Sequence, residues 1–337
     1  MKTVHERQLA QPLGYGIGNT PLQAITFSMQ GVAHTIHLKL EGFNPTHSMK
    51  DRTAYSLVQK LEDQGKLNEN STIVESTSGN LGVAMARLCQ LKGYKFLAVV
   101  DPKTTAENLA KLQTFGAQVD IVREPDENNG YLLSRLAHIQ KIIVDHPDYV
   151  WTNQYDNPAN PSIHYSSTGP EIYTQMNQKI DAIFVPTSTG GTLAGIGKFF
   201  REVLPSTQII GVDAFGSVIF DTPSAPRKLT GIGSSRRSTF LHKELYDEYV
   251  LVKDEEAFAF CRLLFASTGI AVGGSSGAVL TACARYLSQH RYAQHVVCVC
   301  ADHGDNYRSS IFNDSWLKEQ ALELLEAHLG NVEQISL

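Results

Sequence analysis

Short β-branched runs alternate with stretches of helical periodicity along most of the chain. TIHLKLE (35–41) alternates apolar and polar positions, as a half-buried strand does. STIVE is followed by LGVAMARLCQLKG, KFLAVVD by AENLAKLQTFG, and QVDIV by YLLSRLAHIQKIIVD. The second half repeats this with DAIFVP and LAGIGKFFREVLP, then QIIGVDA, then YVLV and EEAFAFCRLLFASTG, and ends with HVVCVCAD. Gly93, Gly116 and Gly269 stand where helices end. Strand alternating with helix predicts an α/β fold, with parallel sheets covered by helices on both faces. Ligands of such sheets bind in the crevice outside the strand C-termini. The terminal ALELLEAHLGNVEQISL reads as an amphipathic helix with a tail.

Composition narrows the function classes. The chain has 337 residues, 42% of them hydrophobic and 19% charged, which is enough for two domains. A net charge of −5 argues against nucleic acid or an anionic membrane as main partner. No apolar stretch has the length of a signal-peptide core or a membrane span, so a cytoplasmic protein is expected. Five cysteines at irregular spacing make no disulfide framework, and no metal site is expected.

Four loops carry the candidate chemistry. NPTHSMKDR (44–52) reads as a helix start, with Ser48 as N-cap, Asp51 as its box partner and Lys50 in the first turn. A lysine gains no stability there, because the helix dipole repels a cation. It gains reactivity, because a positive field lowers the amine pKa toward the neutral nucleophile. ESTSGNLG (75–82) gathers hydroxyls and the Asn80 amide between a strand and a helix. PTSTGGTLAG (186–195) has Ser188, Thr189, Gly190, Gly191 and Thr192 and no charge, which suits a phosphate nest at a helix N-terminus. It is not a Walker loop, since Thr192 takes the first glycine position and Phe199 follows Lys198. AVGGSSGAVL (271–280) contains GxSxG around Ser275, which admits a serine hydrolase. A hydrolase leaves the other three loops unexplained, and a non-catalytic anion-binding module leaves Lys50 unexplained.

NPTHSMKDR, STSGNLG, TSTGGTLAG and GGSSGA, in this order, resemble the fold-type II pyridoxal-phosphate enzymes of the cysteine synthase or β-replacement family. The likeness runs from GNTPL at residue 18 to about residue 317. VVDPK, EPDENNGYLLSR, NQYDNPAN, VDAFGSVIF, TGIGSSRRS and DHGDNY are similar to the N-(2-amino-2-carboxyethyl)-L-glutamate synthases. Those enzymes start 2,3-diaminopropionate production for siderophores such as staphyloferrin B. The resemblance implies that Lys50 carries pyridoxal 5'-phosphate on its amine and later removes the substrate α-proton. It implies that Asn80 holds the phenolic oxygen, residues 188–192 the phosphate, and Ser275 the ring nitrogen. Ser76, Thr77, Ser78 and Gly79 would grip the substrate carboxylate.

For the substrates, the same likeness implies O-phospho-L-serine and L-glutamate, with cysteine synthase as the alternative. Sulfhydrylases typically have glycine where this chain has Ser188, which adds a donor beside the cofactor. Arg135 is a candidate cation for an anionic substrate, against a plain solvated helix residue, and Tyr155 a candidate lining residue. Arg236 and Arg237 compete with Arg135 for that role. The family also implies a homodimer and two domains, residues 1–43 with 155–337 and a small mobile domain of 44–154.

Overall fold

The computed structural model describes residues 13–126 and 130–337. Residues 1–12 and the centre of EPDENNGYLLSR, residues 127–129, lie outside them. In chain order the strands are β1 Leu22–Met29, β2 Val32–Leu40, β3 Thr72–Ser76, β4 Lys95–Val100, β5 Gln118–Ile121 and β6 Tyr149–Trp151. They continue as β7 Ala182–Pro186, β8 Gln208–Ala214, β9 Glu248–Val252, β10 Val296–Cys300 and β11 Val332–Ser336. The helices are α1 Lys50–Asp63, α2 Asn80–Lys92, α3 Ala106–Thr114, α4 Leu132–Asp145 and α5 Ala159–Ile163. They continue as α6 Gly169–Gln175, α7 Gly191–Val203, α8 Asp254–Thr268, α9 Gly274–Gln289 and α10 Asp314–Glu319.

Two compact units divide the chain, one of Met1–Met49 with Pro161–Leu337 and one of Lys50–Asn160. Both crossings fall later than the 43/44 and 154/155 boundaries read from sequence, and local packing explains the shift. Asn44 accepts from Gly18 N and donates to Glu41, and Met49 N donates to Ala301 O at 2.8 Å, so residues 44–49 belong with the larger unit. Asn160 Nδ2 donates to Gln154 O, Ser56 Oγ donates to Ala159 O, and Ala159 joins the smaller unit's core.

In the larger unit the strand order is β11-β1-β2-β10-β7-β8-β9. The strands β2, β10, β7, β8 and β9 run parallel; β1 and β11 are added antiparallel, with β11 and β9 as the sheet's edges. Gln30 and Gly31, at φ 49° and 73°, join β1 to β2 in a tight hairpin. Period-two alternation sends Phe184, Cys298 and Cys300 to one face, under α8 and α9. Ile183, Val185, Val297 and Val299 go to the other, under α6 and α7. The smaller sheet, β5-β4-β3-β6, is parallel throughout. Its Ile73 and Ala98 pack toward α1, α2 and α3, and its Val74 and Val99 toward α4.

Two sequence readings change. The expected terminal helix is a single 3-10 turn, Glu326–Leu329, followed by β11. Pairing of Ser336 and Ile335 with Thr26 and Phe27 satisfies the edge of β1, which outweighs a weak local helix preference. Lys39, on the polar side of TIHLKLE, is fully buried. Its Nζ donates to Glu171 Oε2 at 2.7 Å, Thr20 O at 2.8 Å and Gln175 Oε1 at 2.9 Å. GNTPL is thus a loop fastened from below, with Asn19 N donating to Glu171 and Thr20 Oγ1 to Glu41.

Candidate active site

In the larger unit the loops that follow β7, β8 and β10 share one sheet edge, the C-terminal one, where parallel sheets place ligands. Gly190, at φ 89°, turns the chain from β7 into α7, and a Cβ there would meet Ser238 Oγ at 2.1 Å. Thr189 and Thr192 are buried, Ser188 half-buried. Ser238 Oγ clamps the loop by donating to Thr189 O at 2.6 Å, and Gly233 N donates to Thr187 O at 2.8 Å. Ser188 Oγ donates to Gly233 O at 3.3 Å. The first turn of α7 leaves amides without intrahelical acceptors, and no charged side chain stands in the loop. This nest suits a phosphate group. His164, absent from the sequence reading, sits under it in a π-helical turn, with Nε2 3.3 Å from Thr192 Oγ1 and Nδ1 2.9 Å from Thr168 Oγ1. A π-turn has no periodicity signature, so the pattern does not single His164 out.

Ser275 lies in the first turn of α9, 1% exposed, and its Oγ has no hydrogen-bond partner. A buried orphan hydroxyl costs about 1–3 kcal/mol unless a ligand satisfies it. That fits a ring nitrogen and not a nucleophile elbow, which requires a histidine within reach of the serine oxygen. The glycines of GGSSG answer to packing. A Cβ on Gly273 would meet Asp302 Oδ1 at 2.1 Å, and one on Gly277 would meet Ala257 O at 2.0 Å.

In the smaller unit, Lys50 is the first residue of α1. Ser48, expected as the cap, lies two positions before the helix, its backbone in an antiparallel bridge with Asp302. Lys50 is partly accessible as a residue, yet its amine is surrounded by protein, and desolvation lowers its pKa to about 8. Desolvation by burial causes this shift, where the sequence pattern points to the positive end of the helix dipole.

The loop after β3 is committed in part to its own structure. Thr77 N donates to Val99 O at 2.9 Å, Ser76 N to Glu75 Oε1 at 2.7 Å, and Thr77 Oγ1 accepts from Gly82 N at 2.8 Å. Ser76 Oγ is buried without a partner, while Ser78, Gly79 and Asn80 are half-buried at the start of α2. Glu75 anchors the loop from below. It is fully buried and accepts from Thr152 Oγ1 at 2.5 Å and Gln154 N at 3.0 Å, and burial raises its pKa against these bonds.

Arg135 is not the solvated helix residue that its pattern allows. It is 6% exposed, with Nε 3.4 Å from Asp101 Oδ2, and among the described residues neither Nε nor Nη1 has a hydrogen-bond acceptor. Asp101 follows β4 at the same sheet edge as Ser76 and Thr77. Tyr155 is half-buried in the turn after β6. Its neighbour Gln154 donates from Nε2 to Ser76 O in the serine loop at 2.9 Å. Arg237 pairs with Asp221 on the surface, and Arg236 is half-buried.

These features match a known family. The profile of the pyridoxal-phosphate dependent enzymes covers residues 13–302. The chain belongs to that family and is a pyridoxal-phosphate-dependent enzyme of fold type II. It is similar to a hydrogen sulfide-producing enzyme from Fusobacterium nucleatum, with 30% identity over 89% of this chain and 100% of that one, at a TM-score of 0.81. An O-acetylserine dependent cystathionine beta-synthase from Helicobacter pylori shares 28% identity over 88% of this chain and 96% of its own, at a TM-score of 0.80. O-ureido-L-serine synthase shares 28% over 91% and 100%, at 0.79. Among the described residues no helix is long and apolar enough to cross a membrane.

Proposed function

We propose that this enzyme carries out β-replacement on O-phospho-L-serine with L-glutamate as nucleophile. The products are N-(2-amino-2-carboxyethyl)-L-glutamate and phosphate, on a route to 2,3-diaminopropionate. Pyridoxal phosphate, when bound, supplies the electron sink that lets an amino acid lose its α-proton and its β-substituent. Residues 188–192 would hold its phosphate, Asn80 its phenolic oxygen, Ser275 its ring nitrogen and Lys50 its carbonyl carbon. With the substrate bound, Lys50 Nζ would take the proton from Cα, and its lowered pKa keeps a share of it neutral near pH 8. Phosphate leaves Cβ, the glutamate nitrogen bonds to Cβ and loses a proton, and Lys50 returns a proton to Cα. Ser275 offers a neutral hydroxyl where a carboxylate would enforce a protonated ring. The weaker sink favours loss of a β-substituent over transamination. Ser78, Gly79 and the Ser76 and Thr77 hydroxyls are the donors left to grip the substrate carboxylate.

One observation carries the substrate pair: the buried Arg135 guanidinium, ion-paired with Asp101, has two nitrogens without hydrogen-bond acceptors among the described residues. Glutamate brings two carboxylates, and desolvating them without a partner costs several kcal/mol. Sulfide makes no such demand. Relatives named for hydrogen sulfide production and for O-acetylserine favour a cysteine synthase as the second reading. The deciding assay measures phosphate release and product mass with O-phosphoserine and glutamate, against O-acetylserine and sulfide. A condensation product with glutamate is expected. Efficient cysteine formation with glutamate inert overturns the substrate assignment.

A further inference from the structure

Two of the four loops meet on one short segment of the larger unit. Beyond the end of β10, Ala301–His303 is bonded on both sides. On one side Met49 N donates to Ala301 O at 2.8 Å, His303 N donates to His47 O at 3.0 Å, and Ser48 bridges Asp302. On the other, Gly273 N donates to Asp302 O at 3.3 Å, Gly304 N donates to Ala271 O at 3.0 Å, and Val272 bridges His303. There is no slack in this sandwich. A Cβ on Gly42 would meet His303 N at 2.9 Å, and one on Gly304 would meet Ala271 Cβ at 2.7 Å.

The residue preceding Lys50 and the turn that leads to Ser275 are therefore registered against the same three residues. The side chains lock the arrangement. Asp302 is 2% exposed, and its Oδ2 accepts from the buried Tyr307 hydroxyl at 2.6 Å. The Tyr307 ring closes on Gly273, where a Cβ would lie 2.4 Å from Cε2. Thr230 also hydrogen-bonds Tyr307, from the loop that includes Gly231 and Gly233.

We infer that Asp302 and Tyr307 are positioning residues that set the lysine loop and the Ser275 turn in a common register. Neither is assigned a contact with substrate or cofactor. They act through Met49 and Gly273, so the phenol–carboxylate bond holds the ring under the turn while the backbone of Asp302 joins the two loops. The effect on cofactor binding rests on the reading of Ser275 given above; the brace itself does not.

The experiment uses the full chain without cofactor, in wild-type form and as Tyr307→Phe, Asp302→Asn, Ser275→Ala and Tyr307→Phe/Ser275→Ala. Amide hydrogen exchange is read at Met49, Gly273, His303 and Gly304, and pyridoxal phosphate affinity by absorbance titration. Tyr307→Phe keeps the ring but loses its tether, so exchange is expected to quicken about tenfold on both sides of Ala301–His303. Its dissociation constant for the cofactor is expected to rise about tenfold in the wild-type background and less than about twofold in the Ser275→Ala background. Asp302→Asn retains an acceptor for the phenol and is expected within about twofold of wild type. Exchange that quickens on one side only, or on neither, overturns the brace. An equal loss of affinity in both backgrounds overturns its action through Ser275. Cofactor affinity unchanged in Ser275→Ala sinks the Ser275 assignment instead, and exchange at Met49 and Gly273 still decides the brace.

Discussion

β7–loop–α7 and β3–loop–α2 are the same supersecondary unit built to opposite tolerances. In the first, Gly190 is left-handed and hemmed in by Ser238 and Leu241. Farther along the helix, Gly195 and Gly197 approach the carbonyls of Pro161 and Leu245, to 2.2 and 2.0 Å from a built Cβ. In the second, only the tip is open: a Cβ on Gly79 would meet nothing within 4 Å, whereas one on Gly82 would meet Thr77 Cγ2 at 2.8 Å, and the base of the loop is pinned by the buried Glu75. A loop that must hold one unchanging group can be packed solid. A loop that admits and releases substrates keeps room at its tip and takes its rigidity from beneath. Under the proposed assignment the first loop holds the cofactor phosphate and the second the substrate carboxylate, and the packing around Gly190 and Gly79 suits that difference.

The largest effect expected is at Lys50. Lys50→Ala should lower turnover by at least about 10³-fold and abolish the borohydride-reducible chromophore, with the fold intact by circular dichroism. An active, yellow Lys50→Ala enzyme ends the cofactor reading. Next comes the comparison itself. Gly190→Ala should weaken cofactor binding about a hundredfold and lower unfolding free energy by about 3 kcal/mol, through the positive φ and the clash with Ser238. Gly79→Ala should cost under about 1 kcal/mol and change cofactor affinity less than about threefold, acting instead on substrate KM. Equal responses in titration and thermal melts break the contrast.

Smaller changes sharpen it. Arg135→Gln should raise KM for the anionic second substrate about thirtyfold, with cofactor affinity within about twofold, because a hydrogen bond to a charged group is worth about 1.5–3 kcal/mol. The substitution also leaves Asp101 buried without its cation, so a lower melting temperature is expected with it. Cofactor uptake by the apo-protein should rise about tenfold from pH 7 to pH 9, with a midpoint near the Lys50 pKa of about 8. The sign follows from burial. The folded chain sheds this proton before the unfolded chain does, so the group's contribution to stability grows as pH climbs from about 8 toward 10.5 and is lost as pH falls through 8. Stopped-flow absorbance against pH measures the first, and urea unfolding at pH 8 and 10 the second. Ser188→Gly should have the smallest effect, about threefold in favour of small nucleophiles over glutamate, since its hydroxyl is already engaged with Gly233.

Period-two and period-3.6 patterns, with glycine at helix ends, determined the strand–helix alternation from Thr72 to Cys300, because each element's burial is written in its own residues. The motif loops were likewise readable as loops of chemistry: a lysine in a first turn, hydroxyls around glycines, and serine in place of an acid at position 275. What only the tertiary structure decided is which of these groups are satisfied. Lys39 looks solvated until Glu171, over a hundred residues away, is placed against it. Arg135 looks like surface until Asp101 and its burial are known. Gln154, which no pattern singles out, donates to the serine loop, and the end of the chain is an edge strand because β1 has an open side. Asp302 is only a polar residue after a strand until Ser48 and Val272–Gly273 come to either side of it. Local periodicity reports which face of an element is buried. Partners brought together across long sequence separations set desolvation, ion pairing and the amine pKa, and only folding chooses those partners.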